Sequence, residues 1–274
     1  MTLFQTTRRL LGAAAAIAAS APAQAAPDLL VAPTRVVLEG QRGAEVILNN
    51  TGDEAATYRV SLELKRMTPD GQLETIAEDT ADPRERQALA MISYAPRRVT
   101  LAPNQPQAIR IGVRAPADLP DGEYRAHMLF RGVPEARSVT DTAPPTTGGV
   151  SIRLTPLYGL SIPIIVRQGR LVSAATIGDV GLASGPDGPT LRVHLTRTGD
   201  KSIYGQLRVR AGNTDKPVTL VNGVAIYTDL TDRDVVLRLD EAEAAALHGP
   251  VAVDYLENRD GVLTLVTSKA VTLP

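Results

Sequence analysis

The chain has 274 residues, 29 basic against 30 acidic side chains, 43% hydrophobic residues, and neither cysteine nor tryptophan. A formal net charge of −1 gives no global attraction to nucleic acid or to an anionic membrane. Seven tyrosines and two phenylalanines are too few to suggest a sugar- or base-stacking surface.

The first residues read as a targeting segment. Arg8 and Arg9 form a positive start, Leu10 to Ala21 an apolar run, and Ala23-Gln24-Ala25 a small-residue cleavage site. The run is too short to span a membrane and no integral membrane segment is expected. Thr7-Arg8-Arg9-Leu10-Leu11 faintly resembles a twin-arginine signal, but an ordinary export signal is the favoured reading. Residues 1–25 are therefore expected to be removed after Ala25, leaving 27 basic against 30 acidic residues, a net charge of −3. The mature protein would be exported. Export without cysteines means that core burial, not disulfides, must supply stability.

Almost every periodic segment that follows reads as strand. Thr34 to Leu38, Ala44 to Leu48 and Thr57 to Met67 lead to the hairpin signal Pro69-Asp70-Gly71. Gln107 to Val113, a turn at Pro120-Asp121-Gly122 and a strand from Glu123 to Gly132 continue the pattern, with no strong helical segment in this half. Pro134 to Gly149 is Pro/Thr/Gly-rich and reads as a mobile loop. After Gln168-Gly169 the rhythm restarts with Leu171 to Ile177, Thr190 to Thr196, Ile203 to Arg210, Val218 to Ile226, Asp234 to Leu239, Val251 to Glu257 and Val262 to Val271. Gly185 to Pro189 reads as a loop. Asp240 with Glu243 forms a capping-box pattern and opens the only credible helix. The expected fold is all-β: two β-sandwiches in tandem, residues 26–167 and 168–274.

The most informative stretch runs from Val150 to Val166. Val150, Ile152, Leu154, Pro156, Tyr158, Leu160, Ile162, Ile164 and Val166 alternate onto one face, while Ser151, Arg153, Thr155, Gly159 and Ser161 lie on the other. At ~3.3 Å per residue this strand would be on the order of 50 Å long, several times an ordinary strand. One small domain cannot easily cover such a ridge. Either the strand bends to join two domains, or part of it offers its apolar face to another chain.

Catalytic chemistry finds little support. His127, His194 and His248 stand in no ligand spacing, and the first two fall within strands, where hydrogen-bonded structural histidines are expected. There is no nucleophile elbow, phosphate loop or dinucleotide fingerprint. Asp229, Asp232 and Asp234 lack the glycine and distal glutamate of a calcium loop and read as a solvated acidic turn. Arg97, Arg98, Arg110 and Arg114 read as surface charge. No enzyme activity and no cofactor or metal are expected.

Four motifs, in order, carry a family likeness. Leu30 to Leu38 (Leu-Val-Ala-Pro-Thr-Arg-Val-Val-Leu) resembles the first strand of the PapD-like periplasmic pilus-assembly chaperones. Tyr94 to Pro103 with the strand Ala108-Ile109-Arg110-Ile111, and Leu119 to Arg125 running on to Phe130-Arg131-Gly132-Val133-Pro134, resemble later strands of that family. The alternating strand then stands where the family has its donor strand. The likeness covers residues 29 to 167; beyond it, only Asn258-Arg259-Asp260-Gly261 resembles a family turn.

The resemblance implies two immunoglobulin-like domains in a boomerang, and a chaperone that binds pilin or fimbrial subunits and delivers them to an outer-membrane usher. Arg35 would anchor a subunit's C-terminal carboxylate, with Val150, Ile152, Leu154, Pro156 and Tyr158 entering the subunit's groove. Taken alone, Arg35 reads as a surface strand arginine. Glu123 matches the family's interdomain acid, with Arg167 as its basic partner. The family's second cleft cation, a lysine, is replaced by Gly159, and no lysine lies between Lys65 and Lys201. Anchoring would then rest on Arg35 with backbone groups or on another arginine. An unpaired apolar edge also predicts self-association through the donor strand, or capping by the preceding loop. The competing reading is an exported two-domain adhesin or envelope scaffold whose ridge is buried internally; an exported hydrolase has almost no residue support.

Overall fold

The computed structural model describes residues 29–40, 43–134, 158–212, 214–259 and 262–274. The expected signal segment and the subunit-binding positions Val150, Ile152, Leu154 and Pro156 lie outside the described residues, as does most of the Pro134–Gly149 loop.

The N-terminal part carries β1 (Leu29–Ala32), β2 (Val36–Glu39), β3 (Ala44–Asn50), β4 (Ala56–Met67), β5 (Leu73–Ile76), α1 (Pro83–Met91), β6 (Ile92–Ala95), β7 (Arg98–Leu101), β8 (Pro106–Val113), β9 (Gly122–Val133) and β10 (Gly159–Gln168). One sheet has the order β1-β3-β8-β6 and the other β2-β10-β9-β4-β5, with β7 also on β4. The first strand of the chain thus switches sheets between β1 and β2. This is the two-layer order of an immunoglobulin-like sandwich, and the Tyr124 hydroxyl donates to the Pro120 carbonyl at 2.8 Å in the manner of a tyrosine corner. Alternation makes the core: Val46, Leu48, Ile109 and Ile111 from one sheet meet Val60, Ala126, Met128, Phe130, Ile162 and Ile164 from the other.

The C-terminal part carries β11 (Ser173–Gly185), β12 (Gly188–Gly199), β13 (Ile203–Ala211), β14 (Thr219–Ile226), β15 (Asp232–Arg238), α2 (Glu241–Ala246), β16 (Gly249–Arg259) and β17 (Val262–Leu273). Its sheets run β11-β12-β15 and β14-β13-β16-β17 and close on a core of their own around Leu191, Leu195, Leu207, Val253 and Tyr255. The fold is all-β with two such sandwiches.

Three local expectations need correction. Residues 83–91 form α1, not a helix-free stretch: Asp82 and Glu85 make a reciprocal capping box and Pro83 occupies the first turn. Gly185 to Pro189 is no open loop, because Gly185 pairs directly with Gly188 and only Pro186 and Asp187 turn the hairpin. β11 also extends well past Ile177, through a bulge between Ile177 and Val180. At Asp240 the expected capping box with Glu243 is present and opens α2.

Candidate functional site

Strand β10 has one complete neighbour and one partial one. Along β9 it pairs antiparallel from Gly159↔Arg131 to Gln168↔Gly122. On the other side β2 pairs with it in parallel, only from Ile164↔Val36 to Arg167↔Glu39. Residues Gly159 to Pro163 therefore face a lane that no described strand fills. The phase of the ladder is set by the Gly132 N–H, which donates to the Tyr158 carbonyl at 3.0 Å. In an antiparallel ladder alternate residues bond to the same neighbour, so Leu160 and Ile162 aim their backbone groups at β9, Gly159 and Ser161 aim theirs into the open lane, and Pro163 faces the start of β2. Pro163 has no N–H to offer there.

Side chains alternate with the same phase. Ile162, Ile164 and Val166 are buried in the first core. Leu160 and Tyr158 continue that face yet are 40% and 53% exposed. The apolar ridge thus runs out of its own sandwich at Leu160.

The lane ends at Arg35. Since Val36 stands opposite Ile164, Arg35 lies where β2 leaves the edge, beside Pro163. Its side chain is half-buried rather than a free surface group, which corrects the simple strand-surface reading. Nη2 donates to Ser202 Oγ at 3.2 Å, and the guanidinium carbon sits 4.6 Å from the Tyr204 ring centre and 5.8 Å from that of Tyr227. Nη1 is buried without a partner. Burial lowers the pKa of this group, while Tyr227 and Glu123 act the other way; a guanidinium stays protonated in either case. The result is a cation pinned by the second sandwich with donor capacity left over.

Beside it, Glu123 is 1% exposed. Its Oε2 accepts from Arg167 Nε at 3.1 Å, from the Ser202 N–H at 3.1 Å and from Ser202 Oγ at 2.9 Å. Glu123 and Arg167 face each other across β9 and β10, so the ion pair is built by register, and Ser202 is contributed by the turn before β13. Sequence reasoning missed Ser202, Tyr204 and Tyr227. Their spacing carries no motif, and their role depends on the docking of one sandwich on the other.

The junction also collects residues read differently from sequence. Asp229 does lie in an exposed turn, but its carboxylate is paired: Oδ2 accepts the Met67 N–H at 2.7 Å and Oδ1 accepts Arg125 Nη2 at 3.0 Å. Arg125 also covers the Tyr227 ring at 3.7 Å, a second guanidinium on the ring that Arg35 approaches. Gly159 is exposed at the start of β10. His127 is fully buried, packs edge-on to Tyr227 with ring centres 6.2 Å apart, and both ring nitrogens lack partners. It is therefore not the hydrogen-bonded histidine expected. Burial, with Arg125, Lys65 and Arg35 nearby, pushes its pKa down to about 3. His194 does meet acids, with Nδ1 at 2.9 Å from Asp234 and Nε2 at 3.5 Å from Asp232, which raise its pKa. Among the described residues no group of three or more His, Asp or Glu side chains is placed to hold a metal ion, and no helix is long and apolar enough to cross a membrane.

No protein-family model matches the chain, and no curated protein matches it. Solved structures do resemble it in fold. One is a Salmonella enterica SafA pilin in complex with the SafB chaperone, at 17% identity over 92% of this chain and 99% of that chain, with a TM-score of 0.45. Another is the CsuC–CsuE chaperone–tip adhesion subunit pre-assembly complex from archaic chaperone-usher Csu pili of Acinetobacter baumannii, at 12% identity, 90% and 99% coverage and a TM-score of 0.46. A third is the YadV chaperone, at 15% identity, 89% and 100% coverage and a TM-score of 0.43. At identities this low, the strand order within the chain itself is what establishes the sandwich architecture.

Proposed function

We propose that this chain is a periplasmic chaperone that binds pilus or fimbrial subunits by donor-strand complementation and delivers them to an outer-membrane usher. The observation that carries the reading is the open lane along Gly159–Pro163, bounded at one end by the half-buried Arg35 and flanked by the exposed apolar side chains of Leu160 and Tyr158. A subunit that lacks one strand exposes unpaired backbone and an open core. A strand of that subunit lying in the lane would bond to the outward groups of β10, while the ridge side chains enter its core. Its end would meet the half-buried guanidinium of Arg35, a cation held beside the lane by Ser202 and Tyr204 and suited to a carboxylate. Arg125 is the other arginine close enough to the same ring to share the anchoring charge. In the sequence, Val150, Ile152, Leu154 and Pro156 continue the alternation of Tyr158 and Leu160 and would enter the same groove. The fold would occupy residues 26–167 and 168–274 after removal of the export signal, and the process needs neither cofactor nor catalytic residue. Before capture, the same edge favours self-association through β10.

An adhesin or scaffold would bury its ridge internally, and the exposure of Leu160 and Tyr158 speaks against that. Co-expression with a candidate pilin tests the proposal. A stoichiometric complex that protects the pilin from proteolysis is expected; a pilin equally labile with and without this chain would overturn it.

A further inference from the structure

Arg98, Arg59 and Arg131 stand side by side on three neighbouring strands. Arg59 of β4 is opposite Arg98 of β7 on one side and Arg131 of β9 on the other, and Arg131 is opposite Gly159 of β10. Their chain neighbours Val99, Tyr58, Val60 and Phe130 point into the core. All three arginines therefore project from the outer face of the sheet, where each is exposed. Like charges directly opposite each other weaken a sheet, and here two such pairs share one central residue. Among the described residues no ion pair includes any of the three. The adjoining rows bring no acid either: Thr57 and Thr100 share a hydroxyl bond on one side, and Ser61, Leu129 and Ser161 lie on the other.

The row runs into the open lane. Gly159 puts no side chain between Arg131 and that lane, and the nearest side-chain atom to where its Cβ would stand is Leu129 Cδ1, at 3.3 Å. A strand in the lane would lie about 10 Å from β9, two strand spacings, with its side chain level with Gly159 on the arginine face. We infer that the captured subunit strand carries an acidic side chain at this level, and that Arg131 selects for it. The inference rests on the lane reading above and adds the chemistry of the strand that fits. A carboxylate reaching across Gly159 meets the forked donors of Arg131 and relieves the row. A lysine or arginine at the same level would add a fourth cation and be rejected. Since the strand runs toward Arg35 and ends beside Pro163, the selected position is four residues before its last one.

Short peptides of alternating valine and threonine, with the threonines on the Gly159 face and a free carboxyl end, serve as the probe. They carry Glu, Gln or Lys at the selected position, and fluorescence anisotropy reads their binding to the whole protein. The Glu peptide should bind about tenfold more tightly than the Lys peptide, with Gln between. At about 1 M salt that preference should shrink severalfold. Arg131→Glu should reverse the order and Arg131→Gln should abolish it, while Arg110→Gln, on the opposite sheet, should leave it unchanged. With no peptide present, Arg131→Glu should also raise the urea midpoint, because it sets an acid opposite Arg59. Equal affinities for the three peptides, a preference that survives Arg131→Glu, or an unchanged urea midpoint would overturn the selection and leave the lane reading standing. Binding of none of them, by protein with an intact far-UV spectrum, would sink the lane reading and this inference with it.

Discussion

Burial of His127 makes stability depend on pH in a calculable way. Its ring is fully buried, has no hydrogen-bond partner and lies near three cations, so its pKa is pushed from 6.5 down to about 3. The unfolded chain takes up a proton below about pH 6.5, whereas the folded chain refuses it until about pH 3. Stability is therefore fully present above the unfolded value and is lost as pH falls toward the folded one. The slope over that window is about 1.4 kcal/mol per pH unit. From pH 6.5 to 5 this single group should remove about 2 kcal/mol, a large part of the ~5–15 kcal/mol typical of a domain. His127→Leu keeps an apolar body against Tyr227 and deletes the titration. Urea unfolding followed by far-UV circular dichroism at about pH 7.5 and 5 compares the two proteins, and carboxylate contributions common to both cancel in the difference. The leucine variant should lose about 2 kcal/mol less than the parent over that interval. Parallel losses in the two proteins would refute the reasoning, as would an imidazole resonance of His127 that titrates near 6.5 in the folded state.

Other substitutions probe the edge and the junction. Arg35→Ala should abolish subunit capture in a pull-down and, unlike loss of a surface charge, lower stability by about 1–2 kcal/mol, because two tyrosine faces lose their cation. Leu160→Asp should leave stability within about ±0.5 kcal/mol while eliminating capture, whereas Ile162→Asp, two residues on and buried, should prevent folding; equal effects at the two positions would contradict the exposed ridge. Ile152→Asp and Leu154→Asp should weaken pilin affinity far more than Ser151→Asp and Arg153→Asp, and equal losses on both faces would rule out a donor strand there. Asp82→Ala, which removes the cap of α1, should cost ~1 kcal/mol in urea unfolding without altering capture.

Local pattern was enough to read much of this molecule. Period-two alternation marks β3, β4, β8, β9 and most of the second sandwich, because a strand half-buried in a two-layer fold must alternate. The Asp240 and Glu243 pair marks α2 because a capping box is a local contact across three residues. Helix α1 escaped although Asp82 and Glu85 form the same box. Its apolar residues Ala88, Leu89 and Met91 cluster at one end instead of recurring at helical spacing, so only packing of Ala88 and Met91 into the core decides it. The alternation around Tyr158 was visible as an excess of apolar face, but not where it leaves the sandwich; that depends on how far β2 runs alongside β10. The junction was hidden almost entirely. Arg35 meets Ser202 across 167 positions and Met67 meets Asp229 across 162, separations at which spacing in sequence implies nothing about distance. Arg35, His127 and Asp229 each look like ordinary strand or turn residues in isolation. The burial of Arg35 and His127 and the pairing of Asp229 follow from docking one sandwich on the other, which removes water between them and turns surface charges into partners.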